Sequence, residues 1–323
     1  MNNFIDYKNA VADYINNINF DKEPKQLYEP IDYIANLGGK RLRPLLTLFA
    51  AEVFGSTIEK SIHAAVAIEL FHNFSLIHDD IMDEAPLRRG KETVHEKWNL
   101  NTGILSGDAM LILAYQYFEN YEPAIFKDLA KLFSKTALEV CEGQQLDINF
   151  ETRTDVSIPE YLKMIKYKTA VLVGAALEMG AIVAETSEAN KRGIYDFGCD
   201  LGIAFQLQDD YLDAFGDTAS FGKQIGGDIL ENKKTYLYLK ALQNGSPDDR
   251  SALIKWFATK EGGQEKIEAV KAIFERTNAT NDTRDLIEEY TQKGLECLER
   301  LDIPYTHKEE LKEFALSLMQ RTV

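Results

Sequence analysis

Sixteen residues, TAVLVGAALEMGAIVA from Thr169 to Ala184, carry a single charge, Glu178. As a helix this run is apolar nearly all round, so it belongs in the middle of a bundle rather than on its surface. It falls short of the roughly 18 uncharged apolar residues that read as a membrane span, and no such window exists elsewhere in the chain. What surrounds it is more of the same period. From Ser61 to Asp83, apolar residues fall at Ile62, Ala65, Val66, Ile68, Phe71, Phe74 and Ile77, mixing steps of three and four as a helix requires. Similar patterns predict helices at about 45–54, 104–117, 123–150, 159–184 and 188–215. Further segments follow near 232–243, 247–259, 264–276, 282–299 and 306–320. Alternating runs of useful strand length are missing. Gly-rich punctuation falls between the helices, at 36–39, 85–90, 215–228 and 243–249. The 215–228 stretch has four glycines and reads as a mobile loop. No repeat or linker splits the chain. The expected fold class is all-α, a single-domain helical bundle over 1–323.

Composition narrows the function. The 323 residues include 52 Asp plus Glu against 36 Lys plus Arg, a formal charge of −16. That excludes a nucleic-acid binder working by wholesale phosphate neutralisation. An anionic ligand would need local cations or a metal. Three cysteines without short spacing argue against a disulfide framework or a zinc site. The polar N-terminus lacks a signal-peptide core, so a reducing cytoplasm is the expected location.

Two acidic clusters stand out, Asp79-Asp80-Ile81-Met82-Asp83 and Asp209-Asp210-Tyr211-Leu212-Asp213. Both read DDxxD and both end long apolar helices. Positions i and i+4 share a helical face, as do i+1 and i+4, so each trio of carboxylates is expected to converge. Such crowding of like charge is tolerable when hard cations neutralise it, and carboxylate oxygens are what Mg²⁺ takes. A solvated helix end is the bland alternative for either cluster alone; two copies with apolar upstream flanks favour the functional one.

Cations that would answer a polyphosphate occur in order. Gly38-Gly39-Lys40-Arg41-Leu42-Arg43-Pro44 places three before a predicted helix, whose N-terminus favours an anion. Arg88 and Arg89 follow the first cluster, and guanidinium grips phosphate bidentately. Lys168 sits in an otherwise apolar helix, where a lysine is costly unless paired. Lys223 lies in the Gly-rich loop, with Lys233, Lys234 and Thr235 after it. Arg41 and Lys234 read most simply as surface cations. His72, two turns before Asp79, could donate to a phosphate, while His78 would only brace the cluster.

These stretches resemble the trans-prenyl (polyprenyl) diphosphate synthases of short-chain type. The matching segments are GGKRLRP (38–44), LIHDDIMDEAPLRRG (76–90), GD (107–108), GQQLD (143–147), YKTA (167–170), FQLQDDYLD (205–213) and GKQIGGD…NKKT (222–235). The resemblance implies an all-α prenyltransferase fold with a deep central cleft, a homodimer, and three Mg²⁺ ions per active site. It implies that Asp79, Asp80, Asp83 and Asp209 hold the metals with Asp210 and Asp213 in support. Arg88, Lys168, Thr169, Gln206, Lys223 and Lys233 would hold an allylic diphosphate. Lys40, Arg43, His72 and Arg89 would hold isopentenyl diphosphate, and Gln144 and Asp147 would line the metal end. No protein nucleophile is needed, and neither nucleic acid nor stable membrane insertion is expected.

In that family, residues just upstream of the first motif form the floor of the chain pocket. Phe74 stands five before Asp79, roughly 7–8 Å along a helix, with Phe71 one turn beneath. A single aromatic there resembles geranylgeranyl diphosphate synthases, whose product has twenty carbons; the fifteen-carbon farnesyl product is the alternative. A terpene cyclase and a non-catalytic partner subunit are weaker readings, because both aspartate motifs and the cations are retained.

Overall fold

The computed structural model describes residues 2–216, 225–259 and 261–319. Lys223, which the sequence reading singled out, lies outside the described residues. The rest is helical apart from one two-residue ladder. By their contacts the residues group into two compact units, 1–134 with 175–192 and 135–174 with 193–323.

The first unit opens with α1 (Asn2–Asn16), α2 (Lys25–Ala35), α3 (Leu42–Val53) and α4 (Ile58–Met82). It continues through a hairpin of β1 (Leu87–Arg88) and β2 (Lys91–Glu92), the short α5 (Val94–Lys97) and α6 (Leu100–Phe118). The hydroxyl of Thr57 caps α4, accepting from Lys60 N at 3.4 Å. Ala64 to Phe71 are buried without a break, so α4 forms the centre of this unit. Three helices of this unit went unpredicted, α1, α2 and the one-turn α5. In α1 the core residues Tyr7, Val11 and Ile15 repeat every four positions but are diluted by asparagines, and α2 contains Pro30.

Helix α7 (Pro123–Thr152), α8 (Ile158–Ile165), α9 (Val171–Val183) and α10 (Glu188–Phe215) come next. The single helix expected over 159–184 is interrupted. Between α8 and α9, Lys166–Ala170 form a π-helical turn, and such turns cluster at functional sites. Its wider backbone comes close to Gly143 of α7: a Cβ there would stand 2.2 Å from Lys168 N. From Ala170 to Val183, Glu178 is the one residue not fully buried, as the apolar run predicts. Within the first unit α9 meets α3, where a Cβ on Gly180 would lie 2.3 Å from Thr47 O, and Thr47 Oγ1 donates to Ala176 O at 2.8 Å.

The second unit adds α11 (Gly227–Leu230), α12 (Tyr236–Asn244), α13 (Pro247–Trp256), α14 (Gly263–Arg276), α15 (Ala279–Glu299) and α16 (Tyr305–Met319). Its core gathers Tyr161, Leu207, Leu237, Leu253, Val270 and Phe274. The α13 boundary is written locally: Ser246 and Asp249 form a reciprocal capping box before Pro247.

Candidate active site: two aspartate motifs and their partners

Each aspartate motif stands where a helix ends. Asp83 is the C-cap residue of α4, and Asp209, Asp210 and Asp213 occupy the last two turns of α10. Neither helix has a basic residue in its last turn. The negative end of the helix dipole therefore adds to the carboxylates instead of being offset.

In the first unit, Asp80 is buried and Asp83 exposed. Arg88 clasps Asp80 in a fork: Nε donates at 2.8 Å to both carboxylate oxygens, Nη2 reaches Oδ1 at 2.7 Å, and Asp79 Oδ2 is 4.0 Å away. Burial pushes the Asp80 carboxyl up, and Arg88 only partly pulls it back. Burial would lower Arg88, but the Asp80 hydrogen bond and the charges of Asp79 and Asp83 hold its guanidinium above its ordinary value.

The hairpin, not foreseen from the sequence, explains how adjacent arginines serve different partners. Arg89 (φ 53°) and Gly90 (φ 74°) form its two-residue turn, and positive φ at both central positions is the type I′ signature. Arg88 lies on the ladder and turns to Asp80, whereas Arg89, in the turn, donates through Nη1 to Gly38 O. Its guanidinium lies so close to Gly39 that a Cβ there would come within 2.6 Å of Cζ. This joins the 38–44 segment to the arginine pair.

Arg41 is not the surface cation expected. Its side chain is 9% exposed and pairs at 2.6 Å with Glu69, itself 3% exposed. It also donates to Ala35 O. The left-handed Arg41 backbone (φ 51°) turns the side chain inward. Arg43 Nη1 lies 3.1 Å from His72 Nε2. Burial, then the charges of Arg43, Arg89, Arg88 and Arg41, push His72 far below its ordinary value. His72 is therefore neutral, and its Nε2 accepts from Arg43, so this nitrogen does not donate to a phosphate. Burial also lowers Arg43, to about 10, against the pull of Glu69. Lys40 is exposed on the same segment. Four guanidiniums thus act on one neutral imidazole, with Glu69 as the buried counter-charge of Arg41, Arg43 and Arg89.

Phe71 is fully buried, 5.0 Å from the Phe133 ring and 5.5 Å from Phe74. Phe74 is half-buried. His78 does not brace the aspartates as expected: its ring meets Phe74 at 4.8 Å, and Nε2 bonds Ile104 O at 3.2 Å.

In the second unit, a polar cavity of about 110 Å³ draws six of the expected residues together: Asp147, Lys168, Thr169, Gln206, Asp210 and Lys233. Lys168 and Thr169 come from the π turn, Gln206 and Asp210 from α10. Lys168 Nζ pairs with Asp147 Oδ2 at 2.5 Å, the partner its setting demanded. Thr169 Oγ1 donates to Gln206 Oε1 at 2.9 Å, and Gln206 Nε2 donates to Asp210 Oδ1 at 2.8 Å. Tyr161, fully buried on α8, donates to Asp210 Oδ2 at 2.5 Å. Burial and the charge of Asp228 push Asp210 strongly upward, and these two donors only moderate the shift. Asp213 Oδ2 accepts from Asp228 N at 3.0 Å. Burial would lower Lys233, but Asp228 and Glu231 raise it above its ordinary value. Asp209 and Gln144 are half-buried. Lys234 is not a surface cation either: its Nζ donates to Phe150 O at 2.6 Å and Glu151 O at 3.0 Å, near the end of α7.

Sequence reasoning missed Tyr161, Asp228 and Glu69. Asp228 lay inside a quoted motif, but its partner Asp213 is fifteen residues away. For Tyr161 and Glu69 no local signal existed.

Among the described residues, no three His, Cys, Asp or Glu side chains form a metal cage by themselves. Mg²⁺ takes one or two carboxylates and completes its octahedron with water and substrate phosphate. All-α units carrying such carboxylates beside clustered guanidiniums and lysines are a setting suited to diphosphate chemistry. The polyprenyl synthetase family model matches residues 24–275. A short chain isoprenyl diphosphate synthase of Methanothermobacter thermautotrophicus is 39% identical, over 87% of this chain and 86% of its own. A crystal structure of a geranylgeranyl pyrophosphate synthase superposes with TM-score 0.95 at 55% identity, covering 99% of each chain. That of Corynebacterium glutamicum, complexed with isoprenyl diphosphate and magnesium, does so with TM-score 0.86 at 27% identity, covering 99% of this chain and 98% of its own. The chain belongs to the polyprenyl synthetase family and is a prenyltransferase. No helix among the described residues is long and apolar enough to cross a membrane.

Proposed function

We propose that the chain condenses isopentenyl diphosphate head-to-tail with dimethylallyl, geranyl and farnesyl diphosphates, with geranylgeranyl diphosphate as its product. The observation that carries this reading is the polar cavity of the second unit, where Lys168, Thr169, Gln206 and Lys233 adjoin Asp210. Two lysines, a hydroxyl and an amide around one cavity match the oxygens of a departing diphosphate. Asp79, Asp80, Asp83 and Asp209 would hold three magnesium ions, with Asp210 and Asp213 in support. When bound, the ions absorb charge that develops on the leaving group.

The allylic C–O bond breaks with its electron pair going to diphosphate. The π electrons of isopentenyl diphosphate then form the new C–C bond to the allylic cation, and a proton is lost to the departing diphosphate. Arg43, aligned by His72, and Arg89 and Lys40 hold the second diphosphate. Apolar residues beneath exclude water that would quench the cation. Phe74 limits the chain at twenty carbons, while Phe71, packed under Phe133, serves the core beneath it. The two units act as one prenyltransferase domain, in a cytoplasmic enzyme. Exposed Ile104, Leu105 and Ile112 on α6 are apolar surface that a second copy would cover, supporting a homodimer.

The test is incubation of purified protein with Mg²⁺, isopentenyl diphosphate and each primer separately. A dominant twenty-carbon diphosphate from all three is expected. Arrest at fifteen carbons would keep the reaction and replace the product by farnesyl diphosphate; no condensation would overturn the enzyme reading. Phe74→Ala should lengthen the product by at least one five-carbon unit, read by chain-length analysis.

A further inference from the structure

The end of α4 that carries the first motif rests in two notches on α6. Gly103 and Gly107, four residues apart, lie on one face of α6. A Cβ on Gly103 would meet Ile81 Cδ1 at 2.9 Å, and one on Gly107 would meet His78 Nε2 at 2.4 Å and Cδ2 at 2.6 Å. The His78 ring therefore occupies space that any other residue at 107 would fill. Because Ile104 O can only accept, His78 Nε2 carries a hydrogen and donates to it at 3.2 Å. Asp108 Oδ1 stands 3.8 Å from the same nitrogen. The ring is fixed below by glycine backbone and in front by a carbonyl.

Beside it stands Phe74, one turn earlier on the same face, with ring centroids 4.8 Å apart and an interplanar angle of 65°. This is the edge-to-face geometry that aromatic pairs favour. On its other side Phe74 meets Phe71 at 5.5 Å. Phe71 is 1% exposed and wedged against Phe133, so it cannot yield. His78 is the neighbour whose position determines where the Phe74 ring can lie.

We propose that His78, seated in the notch of Gly107, is a positioning residue for Phe74 and so tunes the length of the prenyl chain. This rests on the prenyl diphosphate synthase reading above, with Phe74 as the chain floor. It assigns a role to a histidine that has no part in binding either diphosphate, and to a glycine on a different helix.

The two ends of the contact predict opposite signs. Gly107→Ala drives the imidazole out of its notch against Phe74, raising the floor and favouring shorter product. His78→Ala empties the notch, lets the phenyl ring fall back and favours longer product. A change of about threefold to tenfold in the product ratio matches one aromatic contact.

The experiment measures product chain length at matched turnover for the wild type, Gly107→Ala, His78→Ala, and each of these combined with Phe74→Ala. Opposite shifts that disappear in the Phe74→Ala background support the proposal, because coupling through Phe74 makes the effects non-additive. Unchanged ratios, shifts of the same sign, or shifts that persist without the phenyl ring overturn it. A loss of rate at constant product ratio also overturns it, since that marks a merely structural role. Failure of the wild type to condense any primer would overturn the enzyme reading and this inference together, and is distinguishable from all of these.

Discussion

The two DDxxD motifs are alike in sequence and end their helices alike, yet their middle aspartates are stabilised by opposite means. Asp80 is held by a guanidinium fork with three contacts of 2.7–2.8 Å. Asp210 is held by two neutral donors, the Tyr161 hydroxyl at 2.5 Å and the Gln206 amide at 2.8 Å, with the carboxylate of Asp228 acting against it. The first motif is a charge pair; the second is a hydrogen-bond network. A charged partner compensates buried charge directly, whereas neutral donors leave the carboxyl inclined to take a proton. The same five-letter pattern therefore places the carboxylates at a helix end, and tertiary partners specify their electrostatics.

The largest effects should come from the outer aspartates, where the comparison predicts equality. Asp79→Asn and Asp209→Asn should each lower kcat by about two to three orders of magnitude, in the range for losing one charge-stabilising group. Steady-state kinetics at saturating Mg²⁺ checks this. If one variant lost less than about tenfold, the two motifs would not share metal work and the pairing would break.

Next come the partners, where inequality is predicted. Arg88→Ala leaves Asp80 buried without its counter-charge and should cost about 3 kcal/mol. Tyr161→Phe removes one of two neutral donors and should cost about 1 kcal/mol. Denaturant unfolding of both variants measures the difference. The reverse order would show that the buried network, rather than the ion pair, carries the larger share.

Much of this was legible beforehand, for a physical reason. Helix period is local, so the all-α class and the ends of α4 and α10 could be read directly. The buried character of α9 followed from one uninterrupted apolar run. What escaped was set by partners distant in sequence or by single-residue irregularity. The π turn at Lys166–Ala170 shifts register by one residue, too little for a periodicity to register. The inward turn of Arg41 depends on Glu69, 28 residues on. The division of labour between Arg88 and Arg89 needed a hairpin too short to show as an alternating run. Tyr161 lies 49 residues from Asp210, and nothing in its neighbours marks it.

The smallest effect sharpens the contrast most, because it separates the middle aspartates by sign. In Asp210→Asn, Gln206 Nε2 can still donate to the remaining oxygen. The Tyr161 hydroxyl can rotate to accept from the new amide, so a hydrogen bond to each partner persists. In Asp80→Asn, the amide meets a guanidinium that has only donors, and one pairing is lost. Burial raises both middle carboxyls, Asp210 the more strongly. The folded value of Asp210 is raised above 3.8, so its contribution is fully present below that pH and is lost as the pH rises through the folded value. Asparagine does not titrate. Asp210→Asn should therefore match the wild type near pH 4 and exceed it in metal-free stability by about 1 kcal/mol at alkaline pH. Asp80→Asn should be less stable across the range. Thermal unfolding from pH 4 to 9 without Mg²⁺ reads both curves. A stability gain for Asp80→Asn, or a pH-independent offset for Asp210→Asn, would show that fork and network are electrostatically equivalent after all.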